Sequence, residues 1–432
     1  MVKQLNFQDK DFYIQLDDIL STSSGKGTSV EKKVFSIIED VKNNGDNALI
    51  KYNKDFDNCF LSSKELIVSE EEIIKAKKNV SQKIIDALKK ARDRIFSYHK
   101  SQLPEDNFYY DKLGIGLGHR WTPISSVGIY VPGGTAVYPS SVLMNSIPAK
   151  VANVSRIVMT VPAPNGLIDP VILVSAEIAG IKEIYKIGGA QAVAALAYGT
   201  ETINKVDKIV GPGNIFVATA KKIVFGKVGI DAFAGPSEIL VVSDSIGNPE
   251  WTATDLLSQS EHDTEARSIL ICDSYDFANK VAEKIQYHLN HLKRSEIASQ
   301  SWNNNGLIII VDNINNVGPI IDKIAPEHLQ LSVDNPKELL SKFSNAGSIF
   351  LGRNTPEALG DYIAGPNHVL PTSGTSRFTS GLSVLDFLKR SSIIQSTNES
   401  LNALSDDILT IAEYEGLSAH ALSVSIRLKD KT

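Results

Sequence analysis

Two kinds of apolar pattern follow one another along this chain. From about residue 30 to 100 the apolar positions recur at helical spacing. Ser69-Glu70-Glu71-Glu72 has the form of a capping box, with Ser69 as N-cap and Glu72 three residues on. Behind it Ile73, Val80, Ile84, Leu88, Ala91 and Ile95 fall on one helical face. Lys77-Lys78 and Lys89-Lys90 lie off that stripe and read as a solvated face. From about 125 short β-branched runs take over: Val127–Val131, Arg156–Val161, Glu183–Ile187, Lys208–Val210, Glu238–Val242, Ser268–Cys272, Leu307–Val311 and Ser348–Leu351. Helical stretches at 170–179, 190–198, 214–224, 249–262 and 276–291 lie between them. Such alternation predicts βαβ units and parallel sheets. Beyond about 380 the pattern predicts helices at 383–395 and 404–429. These are too little for a core of their own, and a neighbouring subunit is one surface they can pack on. Ser21–Ser29 reads as a linker.

Composition narrows the function classes. At 432 residues the prior is two to four domains. A net charge of −6 argues against nucleic acid and anionic membrane surfaces as partners. No apolar run approaches the roughly 18 residues of a membrane span. Met1–Asn6 lacks a basic stretch followed by an apolar one, so a cytoplasmic protein is expected. The two cysteines, Cys59 and Cys272, are far apart, so any metal site must use nitrogen and oxygen ligands. That directs attention to the eight histidines.

Three glycine turns follow predicted strands: Pro132-Gly133-Gly134-Thr135, Gly188-Gly189-Ala190-Gln191 and Gly211-Pro212-Gly213-Asn214. Glycines let backbone N–H groups approach a ligand, and the carboxyl edge of an open α/β sheet is where ligands bind. Each turn taken alone is equally well a tight strand–helix connection, and a G-x-G-x-x-G fingerprint is absent. Gln259 and His262 share a helix face by i,i+3 spacing and can reach one metal ion, though a polar helix face uses the same letters. In Ala325-Pro326-Glu327-His328-Leu329, Pro326 suits the first position of a helix, placing Glu327 and His328 in its first turn. The field there is expected to lower the histidine's pKa and keep it able to accept a proton. A surface histidine beside an ordinary acidic helix start is the plainer alternative. Asp361 and His368 lie in a Gly/Pro-rich loop, and Glu415 and His420 offer another acid and histidine. His99, His119, His288 and His291 have no such company.

Together, from Val127 to Val242 and through 252–263, 324–332, 359–372 and 413–421, these motifs closely resemble the histidinol dehydrogenase family. The resemblance implies two Rossmann-like, incomplete α/β domains around a cleft, with small helical terminal segments used in dimerisation. Residues 30–126 with 236–380 would form the zinc and substrate side, and 127–235 the NAD side. Residues 1–29 would be an N-terminal arm and 381–432 a dimerisation segment. It implies zinc on Gln259, His262, Asp361 and His420, one ion per subunit. The acid–base pair would be Glu327 and His328. Further substrate contacts would be Ser237, His368 and Glu415, and NAD contacts Tyr130, Gln191 and Asn214. The substrate would be L-histidinol, oxidised to the aldehyde and then the acid with two NAD. The site would be shared across a homodimer through Glu415 and His420. A related NAD-dependent dehydrogenase acting on another amino alcohol or a diol is the near alternative. A two-lobed solute-binding protein is the distant one.

Overall fold

The computed structural model describes residues 2–21, 27–133, 137–232 and 235–429. The strands β4 (Ser126–Tyr130), β5 (Arg156–Val161), β6 (Glu183–Lys186), β7 (Lys208–Val210) and β8 (Gly229–Ile230) form a parallel sheet in the order β6-β5-β4-β7-β8. Side chains alternate between its faces, as a strand requires. Val127, Ile129, Ile157, Met159, Ile184 and Val210 face α3 (Glu70–Asn79), α4 (Gln82–Lys100), α5 (Pro139–Val151) and α6 (Pro170–Ala179). Tyr130, Val158, Tyr185 and Ile209 face α2 (Gly27–Asp57), α7 (Gly189–Tyr198) and α8 (Ile215–Val224). Both faces are covered, which is why the strands read as continuous apolar runs.

A second parallel sheet has the order β1-β11-β10-β9-β12-β13. Its strands are β1 (Lys3–Asn6), β9 (Glu238–Ser243), β10 (Arg267–Cys272), β11 (Leu307–Ile310), β12 (His328–Ser332) and β13 (Ser348–Leu351). One face meets α1 (Phe12–Ser21) and α12 (Gly318–Ile324), and the other meets α9 (Pro249–Ser260), α10 (Tyr275–Leu289) and α11 (Ser295–Asn305). The short α13 (Pro336–Leu339) and α14 (Glu357–Tyr362) precede and follow β13. A small antiparallel sheet joins β2 (Asn107–Tyr110), β3 (Gly116–Pro123) and β14 (Leu388–Gln395). Two helices, α15 (Asn398–Tyr414) and α16 (Ser418–Lys429), end the described chain. They pack on each other and on no other described element to a similar extent.

The α/β class with two parallel sheets agrees with the pattern reading, and several details differ. The capping box is real: Ser69 Oγ accepts from Glu72 N at 3.2 Å, and Glu72 accepts from Ser69 N at 2.9 Å. The helix behind it is two, because Val80 is extended and Ser81 caps a new start. The restart shifts the phase, so Ile85 is buried where Ile84 was expected. The α2–α4 helices cover the sheet of 126–230, a packing that differs from the expected grouping of 30–126 with 236–380. Within the expected N-terminal arm β1 pairs with β11, and Phe12 and Leu16 enter the core, while 22–26 of the expected linker lie outside the described residues. The helix expected at 383–395 is mostly β14, drawn into strand by eight paired positions on β3. The helix expected at 404–429 is broken at Gly416, whose φ of +72° suits glycine.

Candidate active site

Glu327 and His328 do not open a helix. The α12 helix ends at Ala325, which is left-handed, and the chain runs through Pro326-Glu327 directly into β12. The run His328-Leu329-Gln330-Leu331-Ser332 alternates with period two, and Leu329 and Leu331 take the core face. His328 and Gln330 therefore point to the opposite face, toward α9, where Gln330 Nε2 donates to Asp255 Oδ2 at 2.6 Å.

One residue of the neighbouring strand holds both groups. The backbone N–H of Glu238 donates to Glu327 Oε2 at 2.9 Å. The Glu238 carbonyl accepts from His328 Nδ1 at 3.0 Å. That bond places the imidazole proton on Nδ1 and leaves Nε2 as the basic atom. Nε2 is buried and has no hydrogen-bond partner, and Asp361 Oδ1 is 3.7 Å from it.

Three carboxylates surround the ring. Glu357 Oε1 stands 3.4 Å and Glu327 Oε2 3.7 Å from Nδ1, with Asp361 on the other side. Burial alone would lower the histidine's pKa, but Glu357, Glu327 and Asp361 outweigh it and hold it well above its ordinary value. This reverses the expected lowering, because the histidine faces carboxylates rather than a helix N-terminus. Burial pushes Glu327 up to about 8 and Glu357 up to about 7. Asp361 falls below its usual range despite its burial, because the His328 ring beside it favours the ionised carboxylate.

Glu357 was missed in the sequence. It opens α14, it is almost wholly buried, and its Oε2 accepts from Ser258 Oγ at 3.2 Å. The available signal was its i,i+4 spacing to Asp361, which puts both carboxylates on one helical face. Ligand atoms of His328, Glu357 and Asp361 lie within 4.8 Å of one another.

The expected metal ligands meet only in part. Gln259 is buried near the end of α9, and His262 follows in a turn that bonds His262 N to Gln259 O at 3.1 Å. The field of Asp361 reaches His262 and His368, whose pKa values burial keeps low. The loop carrying His368 is tied to the other sheet's helices: Asn367 Nδ2 donates to Met144 O at 2.6 Å, and Arg94 Nε to Ile363 O at 2.6 Å. Glu415 and His420 instead stand exposed on the terminal helix pair, apart from this group. Ser237 is half-buried just before β9.

A cation suits the Asp361 side. The Gln259 Oε1 atom is a buried acceptor with no hydrogen-bond partner, and His262 and His368, held low by burial, lie within the field of the Asp361 carboxylate. Such a donor set is what a nitrogen- and oxygen-ligated ion requires.

The glycine turns gather at the carboxyl ends of β4, β6 and β7. Strand order reverses between β4 and β7, the switch point where open α/β sheets take ligands. Tyr130 is buried, which pushes its phenol up to about 12, and its oxygen accepts from Gly189 N at 3.1 Å. A Cβ on Gly211, at φ +118°, would collide with the Tyr130 carbonyl. Gln191 is buried with Oε1 unpartnered, and Asn214 caps α8 by accepting from Phe216 N and Val217 N. Gly134 and Thr135 lie outside the described residues, as does Ala234 before Gly235.

Known proteins match the chain over nearly its whole length. The histidinol dehydrogenase family model matches residues 20–428. The histidinol dehydrogenase of Brucella suis biovar 1 (strain 1330) is 51% identical over 99% of this chain and 100% of its own length. That of Agrobacterium fabrum (strain C58 / ATCC 33970) is 52% identical over 98% of both. The crystal structure of histidinol dehydrogenase from Elizabethkingia anophelis matches with a TM-score of 0.94 at 38% identity, over 99% of this chain and 98% of that one. With the match running through both sheets and the residues around His328, the chain belongs to the histidinol dehydrogenase family.

Proposed function

We propose that this protein oxidises L-histidinol to L-histidinaldehyde and then to L-histidine, using two NAD in sequence, in the cytoplasm. The observation that carries the reading is the shared grip of Glu238 on Glu327 and His328, which leaves His328 Nε2 free as a base. In the first step Nε2 takes the hydroxyl proton as the carbinol carbon gives up its hydride. Water then adds to the aldehyde, Glu327 taking a proton from the water while the protonated His328 returns one to the aldehyde oxygen, and the resulting diol loses a second hydride to NAD and a proton to His328 Nε2 to give the acid. NAD, held at the turns by Tyr130, Gln191 and Asn214, supplies the hydride acceptor. Zinc would be held by Gln259, His262, Asp361 and the partner subunit's His420, and would supply a Lewis-acidic anchor for the substrate. Ser237, His368 and the partner subunit's Glu415 complete the contacts to a cationic imidazolyl amine. The exposed terminal helix pair supports such sharing within a homodimer.

Glu357, Glu327 and Asp361 together raise the pKa of His328. A cation held by Asp361 would offset part of that negative field and favour the neutral histidine that a base requires. The test is NADH absorbance on mixing purified protein with NAD and histidinol, together with the metal content. Two NADH per histidinol are expected, with activity lost to a chelator and restored by Zn²⁺. Full activity of metal-free protein would remove the zinc assignment. Turnover of another amino alcohol or a diol in preference to histidinol would remove the substrate. A second reading seats the metal on His328, Glu357 and Asp361, the tight trio. It predicts that H328N loses the ion, whereas the base reading predicts that it keeps it.

A further inference from the structure

A buried ion pair lies behind the turn that follows β7. Lys221, on α8, and Asp231, just after β8, have side chains only 3% and 4% exposed. Lys221 Nζ donates to the Gly211 carbonyl at 3.0 Å and pairs with one oxygen of the Asp231 carboxylate. The other oxygen accepts from Gly211 N–H at 2.7 Å. Both polar groups of a single glycine are thus bound by the two partners of one ion pair.

A buried pair of this kind seldom adds net stability over apolar residues of the same volume. What it supplies here is position. Gly211 sits at φ +118°, a conformation only glycine takes easily, against the Tyr130 carbonyl at the β4–β7 switch point. The following Pro212-Gly213-Asn214 is joined to α8 by the Asn214 cap and by the close approach of Gly213 to Val217. Without the pair, the glycines on both sides of Pro212 would sample other backbone angles, and a ligand would have to order them on binding.

We propose that the Lys221–Asp231 pair is a positioning device for the dinucleotide, setting the Gly211–Asn214 turn in its binding shape before NAD arrives. The proposal rests on the reading that this turn receives NAD. Lys221 acts through Gly211 and makes no contact with the phosphates itself.

The test is a double-mutant cycle of K221M, D231N and the double variant, with thermal melts. It reads the NADH dissociation constant by fluorescence, alongside KM for NAD, KM for histidinol and kcat. Each single variant is expected to weaken NADH binding and raise KM for NAD by about tenfold, the cost of unpairing a buried polar group. The double variant should do no worse than either single one, because both remove the same restraint. The KM for histidinol and kcat should stay within about twofold, and K221R should recover part of the loss. A loss in K221M alone would mark a direct phosphate ligand and overturn the proposal. So would equal losses in every parameter, which mark a merely structural pair. If a single variant does not fold, the double variant, with no unpaired charge, is judged on the same split between the two substrates. N214A separates the proposal from its premise. Weaker NADH binding in N214A with none in the pair variants overturns the proposal alone. No change in any of them removes the premise as well.

Discussion

The two parallel sheets put chemistry at opposite ends of their strands. In the sheet of 126–230 the candidate nucleotide turns stand at the carboxyl ends of β4, β6 and β7. They are made of backbone: glycines at close quarters, a buried phenol and a capping asparagine. In the other sheet Glu327, His328 and the Glu238 peptide stand at the amino ends of β12 and β9. There the work falls to side chains, brought in from α9, α14 and a loop pinned by Arg94 and Asn367. A backbone edge tunes affinity for a ligand common to many enzymes. A side-chain edge tunes proton positions for one reaction. Substitutions should therefore divide cleanly, with turnover lost at the amino edge and dinucleotide affinity lost at the carboxyl edge.

The sharpest break of that division is at His328. H328N should lower kcat by about a thousandfold in both oxidation steps while histidinol still binds by calorimetry. Near-normal turnover would leave the amino edge without its base. E327Q should cost about a hundredfold in aldehyde oxidation and much less in alcohol oxidation, because only the aldehyde step needs activated water. Half-reactions started from each compound measure the split, and equal losses would erase the distinction between the two groups. At the other edge G211A should raise KM for NAD by about tenfold and lower the melting temperature, with KM for histidinol unmoved. A loss of kcat alone would mean that the edges are not separable.

The smallest effect should come from a site on neither edge. Asp40 binds Lys51 and Tyr52 across the break at Gly45 in α2, and Asn44 before it, which lowers its pKa to about 2. A carboxylate lowered on folding stabilises the protein above its unfolded pKa, near 4, and that contribution disappears as pH falls toward 2. D40N should therefore flatten the acid limb of the melting profile slightly and leave both KM values alone. A changed KM for NAD would show that α2 communicates with the turns it covers.

How much of this could be read beforehand follows the same division. The carboxyl edge was legible because glycine after a β-branched run is a local signal. The Ser69 cap was legible for the same reason. The amino edge was legible only as scattered residue types, joined by resemblance. Pro326 and Glu327 imitate a helix start, and only the Leu329/Leu331 alternation betrays the strand. Glu357 opens a helix of six residues, too short for periodicity to show. The side of the molecule that α2–α4 would cover is a tertiary fact that their own apolar stripes do not encode. The β14 strand is held by pairing with β3, some 270 residues earlier, and its own largely polar letters gave little hint of it.

The grip of Glu238 on both Glu327 and His328 runs through main-chain atoms. Point mutation at that codon can alter the side chain, with its contact to Arg267, but only proline deletes the N–H and nothing deletes the carbonyl. The alignment of Glu327 with His328 is therefore inherited with the strand pairing itself. Genetic drift can erode the neighbourhood of this site long before it can uncouple the two groups.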